Sequence, residues 1–146
     1  MAAPTYTWKF VGDLFGDRVP KIVTLEATAS LDAKVGTLLV NSSGQVDEAG
    51  ASSAEIIGIC AETISNATAA DPVKVELIAP GMIIRGTADA DASSLAGFNG
   101  KTIDTNADGS LDVADTSNGC LSVYRATGTG STTVDCVVTT GALIEA

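Results

Sequence analysis

The residues with the strongest claim to chemistry lie between positions 104 and 115. Asp104-Thr105-Asn106-Ala107-Asp108-Gly109-Ser110-Leu111-Asp112-Val113-Ala114-Asp115 places oxygen side chains at loop positions 1, 3, 5, 9 and 12, with Gly at 6 and an aliphatic residue at 8. Calcium takes about six to eight oxygen ligands, and a central glycine permits the sharp turn that makes them converge. On this reading Asp104, Asn106, Asp108, Asp112 and Asp115 are the side-chain ligands and Ser110 supplies a carbonyl. Other chemistry is scarce. The chain has no histidine, which removes Ser-His-Asp and Cys-His catalysis and the commonest transition-metal ligand together. Cys60, Cys120 and Cys136 form an odd set without a CxxC pair, and they read as buried thiols. The carboxylates sit mostly in turns, no glycine-rich phosphate loop precedes a helix, and no enzymatic activity is expected.

The loop resembles the calcium loops of EF-hands and, because its last acid is Asp115, of dockerins. Those loops lie beside helices. Here the flanks, Lys101-Thr102-Ile103 and Cys120-Leu121-Ser122-Val123, read as strands. A glycine-centred turn rich in Asp and Asn accounts for the same residues without an ion. The turn is the preferred reading, calcium the alternative, and no cofactor is otherwise expected.

A second group stands at the N-terminus. Tyr6, Trp8 and Phe10 alternate on one face of an extended segment, and Phe15 follows, so four of the six aromatics fall within the first fifteen residues. They suit either a lid on the protein's own core or an anchoring arm that contacts a partner or a neighbouring subunit.

The elements that must position these groups are strands. Lys21-Ile22-Val23-Thr24-Leu25-Glu26-Ala27 reads as one, and from Val35 a pattern begins that recurs. Gly44 matches Gly109, Val46 matches Leu111, Asp47 matches Asp112, Ile57 matches Leu121, Ile59 matches Val123, Val73 matches Val134 and Val75 matches Cys136, at offsets of 61 to 65 residues. In the first copy the matching turn is Asn41-Ser42-Ser43-Gly44, which lacks acidic ligands, and this favours the turn reading at 104–115. Pro80-Gly81-Met82-Ile83-Ile84-Arg85-Gly86 reads as a turn and a further strand, and residues 89–97 as one helical turn with a glycine stop. The expected fold is all-β: a compact β-sandwich or small β-barrel, β-tulip-like, made of two related strand–turn–strand units. Residues 1–20 form an extended N-terminal arm or edge strand, residues 21–146 form the β domain, and the pseudo-repeats span about 35–78 and 99–139.

Composition agrees. Apolar residues are 45% of the 146 and aromatics 4%, so small and branched side chains must fill the core. A net charge of −10 without basic clusters argues against nucleic acid. No run reaches the ~18 apolar residues of a membrane span, and the first residues lack a signal segment, so synthesis in the cytoplasm and a soluble product are expected.

The order of a Gly-centred turn, an apolar segment at Ile57-Gly58-Ile59-Cys60-Ala61 and a strand at Pro72-Val73-Lys74-Val75-Glu76-Leu77 resembles the capsid decoration (cement) proteins of tailed bacteriophages. The resemblance implies a head-stabilising structural protein that binds the outer surface of an expanded capsid as a homotrimer and bridges capsomers. Its partner is then the major capsid protein, and its location the capsid exterior of the virion. The alternatives are a calcium-dependent extracellular adhesion or carbohydrate-binding β module and another virion component of tail or fibre.

Overall fold

The computed structural model describes residues 3–49, 56–97, 101–116 and 119–139; the ends of the expected arm and β domain, and positions 99–100 of the expected second repeat, lie outside them. Among the described residues the chain forms nine strands, β1 (Lys9–Asp13), β2 (Lys21–Glu26), β3 (Leu38–Ser42), β4 (Gln45–Glu48), β5 (Gly58–Cys60), β6 (Pro72–Leu77), β7 (Met82–Thr87), β8 (Leu121–Thr127) and β9 (Thr133–Val138). They build two antiparallel sheets, β1-β7-β9-β8 and β2-β6-β5-β3-β4. The sheets pack together as an open sandwich and do not close, so of the two expected all-β forms the sandwich holds and the barrel does not. The helical turn expected at 89–97 is a short 3-10 turn, Ser93–Leu95, followed by Gly97 at φ +81°.

Alternation fixes the layers. Ile84, Val123, Val134, Cys136 and Val138 from the four-stranded sheet meet Leu38 and Ile59 from the other in one buried cluster, which Trp8, Ile103 and Leu111 join. A second cluster, containing Leu31, Leu39, Val46, Cys60, Val73 and Val75, lies within the first half of the chain. Consecutive residues Leu38 and Leu39 therefore belong to different clusters, which is why β3 starts as an unbroken apolar pair. All three cysteines are buried, and burial pushes the Cys136 thiol far above its ordinary range.

One ladder of pairings occurs twice. β2 pairs β6 and β6 pairs β5, as β7 pairs β9 and β9 pairs β8. Leu39 opposes Gly58 as Ile103 opposes Leu121, and Asn41 opposes Val46 as Thr105 opposes Leu111. The parallel bridge Ala27–Val46 returns as Ala88–Leu111. The repeated unit is longer than the sequence pattern indicates, because β2 and β7 belong to it. The register of one segment also differs: Cys60 faces Val75 as Val123 faces Cys136, so Cys60 matches Val123 and Gly58 matches Leu121. Apolar spacing alone pairs Ile59 with Val123, one residue out, and in a strand one residue exchanges the faces.

The N-terminal stretch is not a free arm. Trp8 N–H donates to Gly36 O at 2.8 Å, Tyr6 N–H donates to Asp108 O at 2.8 Å, and β1 pairs β7. The segment thus ties the first unit, through Gly36, to the second, through Asp108 and β7.

Candidate functional site

The aromatic group divides once its backbone is placed. Trp8 is 2% exposed, its indole N–H donates to Gly109 O at 2.8 Å, and its ring lies on Gly86, where any Cβ would overlap it. Phe10 packs half-buried on the same cluster. The burial of Trp8 in this chain's own core corrects its assignment as a contact residue, and the cause is the pairing of β1 with β7; Phe10 keeps part of its surface exposed. Tyr6 is 39% exposed and Phe15 is 78% exposed.

Phe15 sits on a loop with little freedom. The Asp13 carboxylate accepts from Phe15 N–H, Arg18 N–H, Arg18 Nε at 2.7 Å and Arg18 Nη2 at 2.8 Å, while Arg18 Nη2 also donates to Pro80 O. The Arg18 guanidinium holds the Asp13 carboxyl well below the usual carboxylate range. Phe15 lies against Gly81, whose φ of +92° a side chain would rarely adopt. Val19, 73% exposed, and Ile22, 56% exposed, extend the apolar surface along the chain. A groove of about 320 Å³ lined by Arg18, Val19, Lys21, Leu77, Ile78, Ala79 and Met82 lies in the same region.

The oxygen-rich loop is a turn. Gly109 N–H donates to Asn106 O and Asn106 N–H to Ser110 O, the carbonyl that a calcium loop would direct at the ion. Asp108 Oδ1 accepts from Ser110 N–H and Oγ–H, which lowers its pKa, and Asn106 Nδ2 donates to Asp89 and Ser110 Oγ. Asp112 Oδ1 accepts from Ala114 N–H and Asp104 Oδ1 from Thr105 N–H. Asp115 N–H and the backbone of Asp104 are likewise held within the loop. Among the described residues no three His, Cys, Asp or Glu side chains converge as metal ligands. The turn lies under the N-terminal segment, with Tyr6 O close enough to Gly109 to exclude a side chain there.

A charged row went unseen in the sequence. Lys9 on β1 stands opposite Arg85 on β7, Arg85 opposite Asp135 on β9, and Asp135 opposite Arg125 on β8. Arg85 donates to both Asp135 oxygens, at 2.7 and 3.1 Å, and Arg125 donates twice to Oδ2, at 3.1 and 2.8 Å. The two arginines bury the Asp135 side chain to 4% exposure and lower its pKa. Arg125 also lies over the Tyr124 ring, 5.2 Å from its centroid. Thr7, Thr87 and Thr133 flank the row beside a recess of about 270 Å³ over Trp8 and Gly86. Alternation along β7 and β9 marks Arg85 and Asp135 as outward, but only the register joins residues 50 apart.

These features are an exposed aromatic on a fixed loop and a cross-strand charge row. Compared with known proteins, the chain matches no family model and no curated sequence.

Proposed function

We propose that this chain is a structural virion protein that binds the outside of an expanded phage capsid and stabilises it by bridging capsomers, as a homotrimer on the major capsid protein. The observation that carries the reading is the Phe15 loop. A large aromatic left 78% exposed on a loop fixed by four hydrogen bonds to one carboxylate suits a preorganised contact, because little backbone entropy remains to be lost when a partner covers it. Val19 and Ile22 continue that surface. A partner surface, rather than a small molecule, suits exposed apolar side chains of this size. The resemblance to decoration proteins supports the same reading, and a stable sandwich with an exposed anchor is what a part used in many copies requires.

The test is reconstitution. Purified protein mixed with expanded heads lacking it is examined by cryo-electron microscopy, and density at three-fold positions on the outer surface is the expected result. Heads that stay bare at saturating protein would sink the proposal.

A further inference from the structure

We propose that the open edge of β2 accepts a strand from the capsid shell protein, an extended segment bearing a large apolar residue followed towards its C-terminal end by a carboxylate. The inference rests on the capsid-binding reading for the identity of the donor, but the site itself follows from the repeat. β2 and β7 hold equivalent places, and β7 carries β1 on its outer edge, whereas among the described residues no strand pairs there with residues 21–24 of β2, β4 reaching only its far end through the Ala27–Val46 bridge. Ala27 N–H donates to Asp71 O, as Ala88 N–H donates to Thr132 O. Antiparallel alternation from that bond turns the backbone groups of Val23 and Leu25 towards β6 and those of Ile22 and Thr24 outward, clear of β4, whose Val46 bridges Ala27 just past the strand.

Burial records the difference between the two edges. Ile84 on β7, opposite Phe10, is fully buried, while its equivalent Val23 is only half-buried. The edges of the other sheet, β1 and β8, are each broken by a register shift, a common protection against strand addition. β2 keeps one register over all six residues and has no proline. β1 also supplies the template: Phe10 opposes Ile84 and Asp13 opposes Met82, and the equivalent places are Val23 and Lys21. The groove at the start of β2 has Leu77, Ile78 and Met82 as its apolar lining and Lys21 as its cation, beside Arg18, whose charge Asp13 already pairs. An apolar side chain beside a carboxylate complements it in shape and charge.

The probe is a synthetic peptide of the chain's own residues 6–14, titrated into the full-length, isotope-labelled protein. Saturable shifts of the Ile22 and Thr24 amides are expected, about tenfold weaker binding for Thr24→Pro and Ile22→Lys, and none for a scrambled peptide. The Ile22→Lys variant keeps the test valid if the proline disturbs folding. Shifts confined to β7, or none at millimolar peptide, would overturn the site. Wild type and Ile22→Lys are then compared on heads. Decoration by wild type with at least about tenfold less by the variant supports the site. Equal decoration overturns it and leaves the capsid reading intact, whereas heads bare with both defeat the capsid reading and leave the peptide titration to decide the edge.

Discussion

Trp8 shows how one side chain can change role with its register. In sequence it belongs to an alternating aromatic set with Tyr6 and Phe10; in the fold it is a buried ring donating to Gly109 and resting on Gly86. Trp8→Ala should lower unfolding free energy by about 3–5 kcal/mol, read by urea denaturation, and a loss below about 1 kcal/mol would return it to the surface. Asp135 and Asp13 carry the acid response. Arginine hydrogen bonds hold both carboxyls below their ordinary range, so the unfolded chain protonates first as pH falls. Their contribution is present above about pH 4 and lost as pH drops through the depressed native values. Asp135→Asn should therefore lower Tm at pH 7, with the gap to wild type narrowing towards pH 2. Glu48 has the opposite sign, because burial and then Asp47 and Asp32 raise its pKa. It costs stability once ionised, so Glu48→Gln should raise Tm at pH 7 and leave it unchanged below about pH 4.

At the scale of elements, the sequence marks strands where alternation or a glycine turn marks them. The Asn41–Gly44 turn has Ser43 and Gly44 both at positive φ, and it was legible from its glycine, while Asn41 contributes through its Oδ1, which accepts from Gly44 N–H. β2 and β7 were legible as strands but not as partners in the repeat, since Lys21-Ile22-Val23 and Met82-Ile83-Ile84 share only apolar character. The charge row was illegible for a related reason. Lys9, Arg85, Asp135 and Arg125 come from four strands, and pairing register is set by the tertiary fold. The 104–115 loop was legible as a turn because its first-copy counterpart does the same work without acids. Since its oxygens accept from its own backbone and from Ser110 and Asn106, chelator should leave Tm unchanged. A rise of several degrees on adding calcium would contradict the turn assignment.

For the whole molecule, two short units become one body because each lacks something the other supplies. Leu38 and Ile59 of the first unit complete the cluster built on Ile84 and Val134 of the second, and the N-terminal segment spans both. The all-β class followed from composition and spacing, while the choice of an open sandwich over a barrel depended on edges that no local pattern reveals. Of the aromatics first singled out, Phe15 keeps the largest exposed surface, on a loop fixed by Asp13 and Arg18. The most direct test of the capsid-binding account is the occupancy of expanded heads by wild type and by Phe15→Ser, counted from cryo-electron density. The account predicts full outer-surface decoration by wild type and at least about tenfold less by the variant at unchanged Tm; equal decoration by both, or bare heads with wild type, would contradict it.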